Sequence, residues 1–91
     1  MDVYTNAARQ IIKEQQAIIG TIAYDQARKV TGLDVKSDGN VTITGNAKEV
    51  LGNLVNVYSQ FFGNASVEVC RDAVRQVKPE LSSDELPDIL K

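Results

Sequence analysis

The chain has 91 residues, enough for one small domain that buries roughly 60–65% of the surface its unfolded form exposes. Hydrophobic residues make up 43% and charged residues 24%, which excludes a disordered chain; one cysteine and no histidine exclude an internal disulfide, a Cys/His zinc cluster, a histidine-based triad and a histidine pH switch. The net charge of −2 is unevenly placed: residues 1–79 hold nine of the ten basic groups and eight of the twelve acids, whereas residues 80–91 hold Glu80, Asp84, Glu85 and Asp88 against Lys91, so the nearly neutral body lacks the field that draws proteins onto DNA or anionic membranes.

The first predicted element is a helix capped by Asp2 or Thr5 and continuing to about Val30, with Gly32 as its left-handed stop. At 100° per residue, Tyr4, Ala7, Ala8, Ile11, Ile12, Ile18, Ile19, Ile22, Ala23 and Val30 fall within an arc of roughly 160°. Arg9, Lys13, Tyr24 and Arg28 lie outside it, and Gly20 sits beside Ala23 and Ala27 on a flat strip that another backbone can approach. A helix of about 27 residues spans roughly 40 Å, longer than the roughly 30 Å diameter of a compact chain this size. Either it breaks near Gly20 and folds back, or a second copy covers its apolar stripe. The expectation is a homodimer with Ile11, Ile18, Gly20 and Ile22 at the contact.

A hairpin follows. In Leu33-Asp34-Val35-Lys36 and Val41-Thr42-Ile43-Thr44, alternation puts Leu33, Val35, Val41 and Ile43 on one face, and the connection Ser37-Asp38-Gly39-Asn40 contains the Asp-Gly pair of tight turns. Two strands alone are marginal and leave both edges unpaired, a second reason to expect a partner copy.

Gly45-Asn46 then ends the strand and caps a second helix, about Ala47 to Phe62, with Ala47, Val50, Leu51, Leu54, Val55, Val57, Tyr58, Phe61 and Phe62 on one side. Its outer face, Gly52, Asn53, Asn56, Ser59 and Gln60, carries charge only at Lys48 and Glu49, so Asn53, Asn56 and Gln60 are candidates for docking a protein with little charge desolvation, against the plainer reading of an ordinary surface. Gly63 stops this helix and Asn64 or Ser66 starts a third, reaching about Val77 and closed by Pro79. Val67, Cys70, Ala73, Val74 and Val77 face inward and Glu68, Arg71, Asp72 and Arg75 outward; the alternation of Val67 and Val69 also permits a strand over 65–70, but the spacing beyond Cys70 is helical. The single domain thus covers 1–79. Residues 80–91 form an acidic tail with one turn capped by Ser82 or Ser83, and its Leu86, Ile89 and Leu90 are candidates to dock in a partner's groove or on their own domain.

Few residues offer chemistry. Cys70 lies on an apolar face with no histidine to activate it and reads as packing. Carboxylate pairs such as Asp84/Glu85 and Glu68/Asp72 fall on solvated segments, Asp34 and Asp38 lack the ligand count of a calcium loop, and no glycine-rich phosphate loop is present. The sequons Asn40-Val41-Thr42 and Asn64-Ala65-Ser66 read as accidental without a secretion signal, which Met1-Asp2-Val3-Tyr4-Thr5 does not resemble. Tyr58, Phe61 and Phe62 suggest either core or a small-molecule pocket between the second helix and the hairpin.

The stretch Tyr58 to Arg71 resembles a DNA-binding helix-turn-helix in spacing, with Ser59 four residues before the turn glycine Gly63 and Val69 six after it. Asn64 and Asp72 stand where that pattern has apolar residues, and Glu68 would face phosphates. The expectation is therefore an α+β fold of long helix, β-hairpin, two further helices and a short C-terminal turn or helix. Its expected function is that of a cytoplasmic, non-enzymatic, dimeric adaptor or regulatory module acting through protein–protein contacts without cofactor or metal. DNA binding through the second and third helices is the alternative.

Overall fold

The long first helix is two helices. In the computed structural model, which describes residues 3–91, α1 runs Val3–Ile19 and α2 runs Ile22–Ala27. Gly20 makes the break: its φ of +74° is the left-handed conformation that ends helices, and its N–H donates to the Gln16 carbonyl at 2.9 Å. The apolar period runs unbroken across Gly20, so periodicity alone could not show the interruption. Seventeen residues of α1 span roughly 26 Å, within a molecule measuring 30 × 25 × 21 Å. The helix does not project, and the length mismatch that favoured a dimer disappears. Thr5 lies buried inside α1 rather than at its cap, and Asp2 falls outside the described residues.

Strands β1 (Leu33–Val35) and β2 (Val41–Ile43) pair antiparallel with Leu33 opposite Ile43 and Val35 opposite Val41. The Lys36 N–H donates to the Asn40 carbonyl at 2.8 Å, the Gly39 N–H donates to the Lys36 carbonyl at 3.0 Å, and the Asn40 N–H donates to Asp38 Oδ1 at 3.0 Å. This is a three-residue turn with Gly39 at φ +91°. Leu33, Val35 and Val41 are buried and Ile43 half-buried, as the alternation requires.

Helix α3 (Ala47–Phe62) starts at Asn46, whose side chain accepts from the Glu49 N–H at 3.0 Å. A one-residue corner, Gly63, joins it to α4 (Asn64–Arg75), so residues 65–70 are helix; Gly63 itself takes the cap position, and neither Asn64 nor Ser66 supplies a capping side chain. Helix α1 packs on α3 and α4, with the hairpin and α2 closing the other side. At the centre are Ile11, Leu51, Leu54, Val55 and Tyr58, all fully buried, with the Tyr58 hydroxyl donating to the Ala23 carbonyl at 2.7 Å. The fold is α+β: four helices and a two-stranded antiparallel sheet.

Residues 80–91 lie on this body. Ser82 opens a turn: its carbonyl accepts from the Glu85 and Leu86 N–H groups, and its own N–H donates to the Glu85 carboxylate at 2.9 Å. A single 3-10 turn, Asp88–Leu90, follows, with Pro87 rather than a serine at its cap. Leu81, Pro87 and Leu90 are buried, and Leu86 and Ile89 are half-buried against the core.

Candidate functional site

Two interhelical corners, α1–α2 and α3–α4, stand side by side. Gln15 Nε2, one turn before the first corner, donates to the Ser66 carbonyl at 3.2 Å, just after the second, and the Tyr58–Ala23 bond ties α3 to α2. The exposed large apolar side chains among the described residues all belong to these corners: Ile18 is 63% exposed, Ile22 42% and Phe61 56%. Half-buried Ile19 and Phe62 continue the surface inward, the Phe61 and Phe62 rings lying 6.2 Å apart. Lys29 Nζ lies 5.2 Å from the centre of the Phe61 ring, covering one side of it with a cation.

Of the four residues expected at a dimer contact, this corner carries three. Ile18, Gly20 and Ile22 are exposed, and nothing lies within 4 Å of where a Gly20 side chain would start. Ile11 is different: it is fully buried within its own chain and presents no surface. Phe61, placed inward by the pattern of its helix, is the residue that sequence reasoning missed. Its signal was the Phe61-Phe62 pair, since neighbours 100° apart at the end of a helix do not both reach one core.

The α3 outer-face candidates Asn53, Asn56 and Gln60 are exposed. Beside them, Gly52 lets the tail approach: a side chain starting there would lie 3.1 Å from Pro87 Cβ. Leu86, Ile89 and Leu90 therefore rest on their own fold, Leu90 being buried. Three polar tethers hold the tail: Lys48 Nζ donates to the Asp84 carbonyl at 2.9 Å, the Tyr4 hydroxyl to the Glu85 carbonyl at 2.8 Å, and Arg71 Nη2 to the backbone oxygen of Lys91 at 3.1 Å. Hydrogen bonds from Ser82 hold the Glu85 carboxyl below its ordinary pKa.

The helix-turn-helix spacing maps onto α3, Gly63 and α4. A single residue replaces the three- or four-residue turn of that motif. On the outer face of α4, Arg71 pairs with Glu68, and Arg75 pairs with Asp72 at 3.4 Å. Each cation is matched to a carboxylate one turn earlier.

Cys70 is fully buried between α4 and α1. Burial raises its pKa to about 11, opposed by a hydrogen bond from Gln15 Nε2 at 3.5 Å, so the thiol is protonated at neutral pH. Gln26 is buried as well, and its Oε1 has no hydrogen-bond partner. Asp34 is held by Lys36 at 2.9 Å and Asp38 by its own turn, and no group of three or more metal-ligating side chains occurs among the described residues. Tyr58 is core. The pocket anticipated between α3 and the hairpin is replaced by a cleft between α1, the hairpin turn and the chain leaving α4, and none of Tyr58, Phe61 and Phe62 lines it. No described helix is long and apolar enough to cross a membrane. Comparison with protein-family models, with curated proteins and with solved structures gives no match for this chain.

Proposed function

We propose that the protein works without catalysis, as a small contact module that joins proteins, and that its first partner is a second copy of itself. One observation carries this reading: Ile18, Ile22 and Phe61, on the two adjacent corners, are the exposed large apolar side chains among the described residues. Water disfavours such a patch, and a two-fold contact covers it on both copies at once, since the same surface serves each protomer. Gly20 lets the partner backbone come close. Three anchors make a small interface, so the dimer is expected to be weak and to dissociate on dilution. In an adaptor of this kind the corner sets the oligomer, while the uncharged face of Asn53, Asn56 and Gln60 stays open to another protein.

Sedimentation velocity over a concentration series tests the reading. The expected result is a dimer at high concentration that Ile18→Glu/Phe61→Glu converts to a monomer with an unchanged circular-dichroism spectrum; both side chains are exposed, so the double variant folds. A wild-type chain that stays monomeric throughout the series overturns the self-association, and a dimer untouched by the double variant overturns the corner as its contact.

A further inference from the structure

A cleft of about 530 Å3 opens between α1, the hairpin turn and the chain leaving α4. Its floor is apolar, made by Ile12 and Val77, both buried, and by the half-buried Tyr24. The Tyr24 hydroxyl donates to Gln16 Oε1 at 3.0 Å and lies 3.8 Å from where a side chain on Gly39 would start, so the ring is fixed against the turn.

The rim is cationic. Arg9 and Lys13 stand one turn apart on α1, and Lys78 comes from the chain beyond α4. Asp38 is the carboxylate among the lining residues, which leaves a local excess of positive charge on a chain whose net charge is −2. Lys13 has no ion-pair partner among the described residues, and Lys78 reaches Glu80 only at 3.8 Å with both side chains in solvent. Gln10 Nε2 donates to Gln76 Oε1 at 3.1 Å and ties the walls together, while Gln76 Nε2 engages the Glu14 carboxylate at 3.0 Å, outside the lining.

The geometry points to a binding site for a small organic anion, its apolar body on Ile12, Val77 and Tyr24 and its phosphate or carboxylate among Arg9, Lys13 and Lys78. The volume is that of an ordinary small-molecule site, and the lining is mostly polar, with Ile12, Val77 and Tyr24 as its apolar part. The site shares no residue with the apolar corner and does not depend on self-association.

Titration of the 15N-labelled protein with phenyl phosphate, benzoate, inorganic phosphate and phenol, followed by amide chemical shifts, tests the assignment. Phenyl phosphate or benzoate should give saturable shifts at Arg9, Lys13, Gly39 and Lys78, the tighter of the two fixing the head group. Inorganic phosphate and phenol should each bind at least tenfold more weakly, since one lacks the body and the other the charge. Lys13→Ala/Lys78→Ala should weaken binding at least tenfold while the spectrum stays dispersed, because both side chains are exposed. The proposal is overturned by the absence of saturable shifts up to about 10 mM of either aromatic anion, by shifts that the double variant leaves unchanged, or by an octaglutamate peptide binding more tightly than both, which would give the cleft to an acidic protein segment instead.

Discussion

At Cys70 the sulfur accepts from Gln15 Nε2 in the seam between α1 and α4, and at Tyr58 the hydroxyl is spent on the Ala23 carbonyl. Burial raises both pKa values above their ordinary 9.0 and 10.0. The folded chain therefore keeps two protons that the unfolded chain gives up in alkali, so stability is intact below pH 9 and falls as pH rises beyond it. Cys70 alone, shifted to about 11, accounts for a loss of about 2 kcal/mol by pH 11. Urea unfolding at pH 7.5 and pH 11 measures this, and Cys70→Ser should reduce the difference. A thiol reagent at pH 8 should label Cys70 only after denaturant is added. Cys70 was readable in the sequence, since helical spacing put it on the apolar side and the chain has no histidine. Gln15 and Gln26 were not: a buried amide leaves no mark in a hydropathy pattern, and the partners that Gln15 finds, Ser66 and Cys70, are more than fifty residues away.

Among the elements, those whose cues are local were the legible ones. Asp38-Gly39 fixed the hairpin turn, alternation fixed its inner face, and Gly45-Asn46 fixed the start of α3. The corner at Gly20 was less so, because one glycine inside a strong apolar period costs a helix only about 1 kcal/mol and does not by itself end it. Packing of the next turn onto the same core decides the matter: Ala23 and Ala27 are fully buried, and an uninterrupted helix would carry them away from α3. The cationic cleft was illegible for a related reason, being assembled from elements distant in sequence. The sharpest test of the element level lies at Gly32, where α2 turns into β1. Its φ is +88°, and a side chain there would start 2.7 Å from the Thr44 carbonyl oxygen and 3.0 Å from Val50 Cγ2. The Thr44 N–H also donates to the Gly32 carbonyl at 2.7 Å, so the clash falls on a hydrogen-bonded backbone that cannot withdraw. Gly32→Ala should cost about 3 kcal/mol, from the unfavourable φ and the displaced strand together. Thermal unfolding would register this as a drop in Tm on the order of 10–20 °C for a domain this size.

For the molecule as a whole, residues 80–91 are a wall of the core. Leu81 and Leu90 are buried with the core, and Gly52 is the gap that admits Pro87. Composition marked this segment as acidic and separate; it could not show that Tyr4, Lys48 and Arg71 hold its backbone. Gly52→Leu should force Pro87 off α3. The expected result is tryptic cleavage at Arg75 at least tenfold faster than in the wild type, with helix content largely kept; unchanged cleavage would mean that Pro87 finds another seat. The Tyr4–Glu85 bond joins residues 81 positions apart, and it carries a consequence for how the chain is made. Synthesis delivers α1 well before the side chains of residues 81–90 that complete the core around it. A chain that stops before residue 81 lacks Leu81 and Leu90, which leaves the side of α3 and α4 that they cover open to water. Such a fragment would be sticky and easily degraded. The cover of the α3–α4 seam thus depends on residues 81–90 as much as on the helices themselves.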